Sequence, residues 1–224
     1  MAVTFYYVRH GQTMFNLRRR LQGTCDSPLT EKGISDARRA ELALRKIPFD
    51  RAYCSSSERC IDTAAIVLER HNVKARPMKQ LKEIDFGELD GHLIDEIQEE
   101  YDRRKMDDSF GDIGGDSEES IRKRITGTFN MIADSAMNGE RVLVVSHGAF
   151  GMHTLQILFG MDIWEFQKIR RKINPHQYMF PNCGIMKFQR RDGVWELLEL
   201  PCEPERFTDS TEIVTGYPRM SHTD

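Results

Sequence analysis

The 224-residue chain has no run near the roughly 20 consecutive apolar residues that a membrane helix needs, and no basic-then-apolar leader pattern ahead of its first apolar segment. It also lacks an excess of charge. Against 35 Asp and Glu stand 32 Lys and Arg, and a net charge of −3 gives the surface as a whole no attraction for nucleic acid or an anionic membrane. Cysteine is scarce and odd in number: Cys25, Cys54, Cys60, Cys183 and Cys202 show no metal-ligand spacing. A disulfide framework and a structural zinc site are therefore not expected, and reduced thiols in a cytoplasmic protein are the simplest reading. There is no internal repeat and no low-complexity tract. What remains, with 39% hydrophobic and 30% charged residues, is an ordinary soluble globular composition in one large domain.

Two stretches carry the chemistry. Val3 to Val8 is β-branched and aromatic without a charge, which suits a strand buried on both faces, and Arg9-His10-Gly11 follows it without a gap. Val142-Leu143-Val144-Val145 repeats the pattern and runs into Ser146-His147-Gly148. Either histidine alone could be a packing residue. Two strands that both deliver His-Gly at their carboxyl ends are harder to attribute to packing, because ligands of open α/β sheets bind at that edge.

Between these stretches the chain alternates strands and helices. Thr30 reads as the cap of a helix with Ile34, Ala37, Glu41 and Leu44 on one side, closed by Pro48. A strand at Arg51–Cys54 precedes a helix with the stripe Ile61, Ala64, Ala65 and Leu68. Arg59 stands in the first turn of that helix, where negative charge is the usual choice; either it serves an anion held there or it pairs with Glu58 or Asp62. Residues 81–91 form a loop with four carboxylates, residues 107–116 a mobile glycine- and aspartate-rich loop, and Ile121 to Ala136 a long helix ended by Gly139. An apolar helix over Met152–Phe159 follows, then a hairpin turning at Asp192-Gly193. Arg18 to Arg20 form a short basic run that reads as a solvated face, and Lys168 with Arg170, Arg171 and Lys172 reads as a solvated helix end or as a contact for an acidic substrate group. The expected fold is α/β: a three-layer αβα sandwich, its central sheet mainly parallel with helices on both faces, spanning residues 1–202. Residues 203–224 are expected to be a polar, poorly ordered tail.

In such a sheet Arg9, His10, Arg59 and His147 all emerge at or just beyond strand carboxyl ends. Two guanidiniums with two imidazoles make a pocket for a dianion, and phosphate is the natural occupant. A histidine held neutral by neighbouring positive charge can attack phosphorus, and a carboxylic acid of raised pKa can protonate the leaving alkoxide. That chemistry needs no metal or other cofactor, and the chain has no aspartate cluster suited to one.

These residues resemble the histidine phosphatase superfamily, also called phosphoglycerate-mutase-like. The blocks that carry the resemblance are Arg9-His10-Gly11-Gln12-Thr13 with Asn16, and Gly23 ahead of Asp26-Ser27-Pro28-Leu29-Thr30. Ser55-Ser56 with Arg59 and Thr63-Ala64 follow, then Leu81-Lys82-Glu83 with Gly87 and Gly91, and last Ser146-His147-Gly148. The resemblance implies that His10 is the phosphorylated nucleophile, that Arg9, Arg59 and His147 hold the phosphoryl group, and that Glu83 donates the proton. It also implies that Gly11, Gln12, Thr13, Asn16, Gln22, Gly23 and Gly148 fall where members contact phosphate or substrate. Mutases of the family usually carry Glu-Ser, Trp-Asn and, after the second histidine, Gly-Asn; here stand Gln12-Thr13, Phe15-Asn16 and Gly148-Ala149. The resemblance therefore implies a phosphatase acting on a phosphorylated small molecule. A cofactor-dependent phosphoglycerate mutase and a phospho-ligand-binding member with little turnover stand as alternatives. The sequence gives neither the substrate nor the oligomeric state.

Overall fold

The computed structural model describes residues 1–106, 110–173 and 180–220, apart from the side chains of residues 105, 106, 170, 171 and 173. Arg170 and Arg171 of the basic cluster thus lie outside the described side chains, as do residues 107–109 of the glycine-rich loop and 221–224 of the tail. The strands are β1 (Ala2–Arg9), β2 (Arg51–Ser55), β3 (Ala75–Met78), β4 (Arg141–Ser146), β5 (Ile185–Arg191) and β6 (Val194–Cys202). The α-helices are α1 (Met14–Leu17), α2 (Glu31–Leu44), α3 (Glu58–Val67), α4 (Ile94–Met106), α5 (Glu118–Asp134), α6 (Gly148–Phe159) and α7 (Ile163–Ile173).

The six strands form one sheet in the order β3-β2-β4-β1-β5-β6. β1, β2, β3 and β4 are mutually parallel, and the β5–β6 hairpin joins β1 antiparallel. Period-two alternation gives β1 two buried faces. Val3, Phe5 and Tyr7 join Ile125, Phe129 and Phe150 of α5 and α6 on one side. Tyr6 and Val8 join Ala37, Ala40, Ala64 and Val67 of α2 and α3 on the other. This is the expected three-layer arrangement, with an antiparallel hairpin added at one edge.

Four local expectations are corrected. In α2 and α3, Ile34, Ile61 and Ala65 are exposed, and the buried face of α3 is Arg59, Cys60, Thr63, Ala64 and Val67. That helix is rotated so that Arg59 and Thr63 turn toward the sheet edge. Helix α5 ends at Asp134, capped by Ser135, while Gly139 takes φ 87° in the turn into β4. Helix α6 begins at Gly148, earlier than its apolar run suggests, because His147 itself is its cap. Residues 110–116 are more than irregular loop: Gly111–Ile113 form a 3-10 turn, Phe110 is buried, and Asp116 N–H donates to Asp85 O at 2.8 Å.

Residues 203–220 are tied to the sheet. Lys187 Nζ donates to Asp209 Oδ1 at 2.6 Å and to Ser210 O at 2.8 Å, and Val214 N–H donates to Leu197 O at 2.8 Å. Composition reads this segment as a tail because its partners lie on β5 and β6, not in its own periodicity. Among the described residues no helix is long and apolar enough to cross a membrane.

One packing contact sets the position of the first His-Gly. Gly11 and Gly33 face each other so closely that a Cβ on Gly33 would lie 2.1 Å from Gln12 O, and one on Gly11 would lie 2.6 Å from Gly33 O. The N-terminus of α2 can lie against the His10–Gln12 backbone only because both side chains are missing. Gly33→Ala is expected to lower stability by about 1–3 kcal/mol, since the clash is with backbone and not with a movable side chain. It is also expected to lower activity at temperatures where the protein stays folded. Urea denaturation and a rate assay on the same sample measure both.

Candidate active site

The parallel pairing of β1 and β4 aligns Arg9 with Ser146, so the next residues of each strand, His10 and His147, become neighbours. His10 N–H donates to Ser146 O at 2.9 Å, and the two imidazole rings meet edge to face with centroids 5.3 Å apart. His10 Nδ1 lies 2.8 Å from Gly11 O. A carbonyl can only accept, so Nδ1 carries the proton and Nε2 keeps its lone pair. His147 takes the opposite tautomer. Arg59 Nη2 donates to its Nδ1 at 3.0 Å, which leaves Nε2–H to donate to Ser55 Oγ at 2.8 Å.

Both imidazoles are buried and held neutral. Burial pushes the pKa of His10 well below its ordinary value, and Arg59 and Arg9 push it further down. Burial, Arg59, His10 and Arg9 do the same for His147. The backbone around the two histidines is fixed from several sides. Tyr7 Oη donates to His147 O at 2.6 Å and accepts from His147 N–H at 3.1 Å. Thr63 Oγ1 accepts from Gly11 N–H at 3.0 Å and donates to Arg59 O at 2.7 Å.

Arg59 is fully buried. Its partner is neither Glu58 nor Asp62 but Asp26, with Nη1 to Oδ1 at 2.8 Å, while Asp26 Oδ2 caps α3 by accepting from Glu58 N–H at 2.5 Å. The same guanidinium donates to Gly23 O and Cys25 O, both at 2.9 Å. Its Nε is buried with no hydrogen-bond partner among the described residues, a donor disposed to take an anion. Arg9 Nη1 donates to Phe180 O at 2.6 Å. Gly148 keeps the guanidinium of Arg9 close, since a Cβ there would lie 3.0 Å from Arg9 Nε.

Glu83 reaches the same place from a different loop. Its Oε1 accepts from Ile84 N–H at 3.0 Å and Phe150 N–H at 2.7 Å, and its Oε2 from Ala149 N–H at 3.0 Å. The carboxyl therefore sits on the N-terminus of α6, the helix capped by His147. Burial pushes its pKa up, and the three amides only partly offset that. Oε2, with a single bond to the protein, is the oxygen best placed to carry a proton. Arg124 holds the loop behind it, donating to Lys82 O at 2.6 Å and to Asp116 Oδ2 at 2.6 Å.

Of the other residues expected to touch substrate, several serve the scaffold. Thr13 and Asn16 make a reciprocal capping box on α1. Thr13 Oγ1 donates to Gln22 Oε1 at 2.7 Å, and Gln22 Nε2 donates to Ser27 Oγ at 3.0 Å, which occupies both buried side chains internally. Gln12 Oε1 accepts from Thr30 Oγ1 at 2.9 Å. Gly23 N–H donates to Asp90 Oδ1 at 2.6 Å, and Asp90 Oδ2 accepts from Cys25 N–H at 2.8 Å. Burial raises the Asp90 carboxyl, but these bonds outweigh it and hold it below the usual carboxylate range.

Sequence reasoning missed Asn182, which donates to His10 O and to Asn16 Oδ1, both at 3.2 Å. Its only signal was proximity to the hairpin that pairs with β1. Cys60, near the site in sequence and expected there as a structural thiol, packs against His147. Its Sγ lies 3.5 Å from His147 Nε2, and burial raises its thiol well above the ordinary value, so it stays protonated. Among the described residues no group of three His, Cys, Asp or Glu side chains is arranged to hold a metal ion.

The histidine pair makes stability depend on pH. Each imidazole is neutral in the folded state, whereas the unfolded chain takes up protons below about pH 6.5. Stability from this source is full above pH 6.5 and is lost as pH falls, by about 1.4 kcal/mol per pH unit for each histidine. Glu83 acts in the opposite sense, because its raised folded pKa favours the protonated state. Two imidazoles outweigh one carboxyl. The urea midpoint is therefore expected to drop between pH 7.5 and 5.5, and His10→Ala is expected to reduce that slope. A flat profile would count against buried neutral imidazoles.

Comparison with known proteins places this geometry among relatives. Residues 5–202 match the histidine phosphatase superfamily (branch 1). The chain is 28% identical over 195 residues to a probable phosphoglycerate mutase, GpmB, of Salmonella paratyphi A, with 85% of this chain and 86% of that protein covered. Among solved structures it is similar to a phosphoglycerate mutase from Bacillus anthracis, at 27% identity and a TM-score of 0.73, covering 89% of this chain and 92% of the other. It is also similar to a phosphoserine phosphatase of Entamoeba histolytica in complex with 3-phosphoglyceric acid, at 25% identity and a TM-score of 0.71, covering 89% and 97%.

Proposed function

The chain belongs to branch 1 of the histidine phosphatase superfamily, and from that premise we propose that it is a metal-independent phosphomonoester hydrolase working through a phosphohistidine at His10. The observation that carries this reading is the tautomer of His10. With Nδ1–H bound to Gly11 O, the Nε2 lone pair is presented beside Arg59 and His147.

In the first step Nε2 bonds to phosphorus and the ester P–O bond breaks. Arg9 and Arg59 spread the charge on the phosphoryl oxygens, and His147 joins them by exchanging its Nε2–H from Ser55 Oγ to a phosphoryl oxygen. The leaving alkoxide takes the proton of Glu83. In the second step the Glu83 carboxylate takes a proton from water, the resulting hydroxide bonds to phosphorus, and the P–N bond breaks to release inorganic phosphate. Glu83 ends protonated and His10 neutral, so the cycle closes with water as the only co-reactant. The raised pKa of Glu83 suits a group that is an acid in one step and a base in the next.

The names of the relatives favour a second reading, a mutase that returns the phosphoryl group to the substrate. Gln12-Thr13, Phe15-Asn16 and Gly148-Ala149, where mutases differ, support hydrolysis. The deciding experiment incubates the protein with p-nitrophenyl phosphate, phosphoserine and 3-phosphoglycerate, without divalent metal or bisphosphate primer. Free phosphate is measured, and acid-labile phosphate on His10 is trapped by alkaline denaturation. A hydrolase gives continuous phosphate release and a short-lived phosphoenzyme. A mutase gives a persistent phosphoenzyme, little free phosphate, and 3- to 2-phosphoglycerate conversion when 2,3-bisphosphoglycerate is added.

A further inference from the structure

We propose that Asn182 is a positioning residue that fixes the side-chain amide of Asn16, so that Asn16 presents N–H donors to the transferring phosphoryl group. The proposal rests on the phosphoryl-transfer reading of the site.

The amide orientation of Asn16 is set by its partners. Asn16 Oδ1 lies 3.2 Å from the backbone N–H of Thr13, which can only donate, so this atom is the carbonyl oxygen and the other is Nδ2. The same Oδ1 accepts from Asn182 Nδ2 at 3.2 Å. Two donors on one oxygen disfavour the flipped amide, which would set N–H against N–H at both contacts. Asn16 Nδ2, with both protons, is thereby turned away from Thr13 and Asn182.

Asn182 Nδ2 also donates to His10 O at 3.2 Å, so it ties the Asn16 amide to the backbone of the nucleophile. Asn182 itself is held in place by its successor. Cys183 takes φ 55°, in the left-handed region, and its N–H is shared between Arg9 O at 3.1 Å and His10 O at 3.3 Å. Arg9 N–H in turn donates to Gly184 O at 3.1 Å. Residues 182–184 therefore grip the Arg9-His10 backbone, and Asn182 extends that grip to a side chain that arrives from α1. Capping alone explains the Thr13 contact of Asn16, but it does not require a second donor from a segment more than 160 residues away.

The test is a double-mutant cycle read by the inhibition constant of inorganic phosphate and by kcat and KM for p-nitrophenyl phosphate, with thermal midpoints measured alongside. Asn182→Asp sets an acceptor against Asn16 Oδ1 and is expected to raise the phosphate inhibition constant and KM by about 10- to 100-fold. Asn182→Ala removes the donor without adding charge and is expected to raise them by about 3- to 10-fold. Asn16→Ala is expected to raise them by about tenfold. If Asn182 acts through Asn16, then Asn182→Ala in the Asn16→Ala background changes nothing further. Effects that multiply in the double variant would overturn the proposal, as would a wild-type inhibition constant in both Asn182 variants. An Asn16→Ala protein that binds phosphate normally would overturn it as well, while a phosphohistidine still trapped on that variant would leave the reaction assigned to His10 standing.

Discussion

His10→Ala is expected to lower phosphate release by a factor on the order of 10⁵–10⁶, the scale seen when a covalent nucleophile is removed from an otherwise intact site. The geometry makes this a clean substitution. His10 spends one ring nitrogen on Gly11 O, a carbonyl one residue away, and keeps the other for chemistry. Losing that single bond costs stability by about 1 kcal/mol, and the imidazole removed is one that burial already opposed in its charged form. The variant should therefore fold. It should also bind phosphate, because Arg9, Arg59 and His147 remain. The expected result is retained phosphate binding, no acid-labile phosphoenzyme and no turnover. Activity above about 1% of wild type in a contaminant-free preparation would point to a different nucleophile.

Glu83→Gln should separate the two half-reactions. Loss of a general acid costs about 10²–10⁴-fold, and the cost should depend on the leaving group. An alkoxide such as that of phosphoserine or glycerol phosphate needs the proton, so its phosphorylation step slows by that factor. A p-nitrophenolate leaves without one, so His10 should still be phosphorylated at close to the wild-type rate. The second step then lacks its base for either substrate. With the aryl ester the variant should release about one equivalent of nitrophenol in a burst and accumulate phosphohistidine. The high-pH limb of kcat/KM for alkyl phosphates, expected in wild type as Glu83 ionises, should vanish too. Both histidines, held neutral far below their ordinary pKa, add no limb near neutrality. Glutamine sets an N–H₂ against the N-terminus of α6, where Glu83 accepts from Ala149 and Phe150, so a stability loss of about 1–3 kcal/mol is expected beside the kinetic effect. Equal slowing of aryl and alkyl esters without a burst would remove Glu83 from the role of proton donor.

Much of this site could be read in one dimension because its parts are strand ends. A buried parallel strand announces itself by an uninterrupted apolar run, and whatever follows the run lies at the sheet edge where ligands bind. Val3–Val8 and Val142–Val145 are such runs, and the residues after them are Arg9-His10 and Ser146-His147. Arg59 was legible as a cation where a helix N-terminus disfavours one, although its counter-charge was not. Asp26 comes from a loop more than 30 residues earlier and meets Arg59 only through the tertiary fold. Glu83 was picked from four carboxylates by family resemblance alone. Nothing in its own segment tells that it will lie on the first amides of α6.

The chain itself therefore determined the layer architecture, the sheet edge that carries chemistry, and both histidines. Each of these follows from short-range patterns of apolar periodicity and turn chemistry. Tertiary structure alone decided the protonation states and pairings. The tautomer of His147, the raised pKa of Glu83 and the fixed amide of Asn16 each depend on a partner, or on burial, supplied by a distant segment. It also decided that Thr13 and Gln22 hydrogen-bond to each other. Hydrogen bonds and desolvation act over a few ångströms in space, and separation along the chain carries no record of those distances.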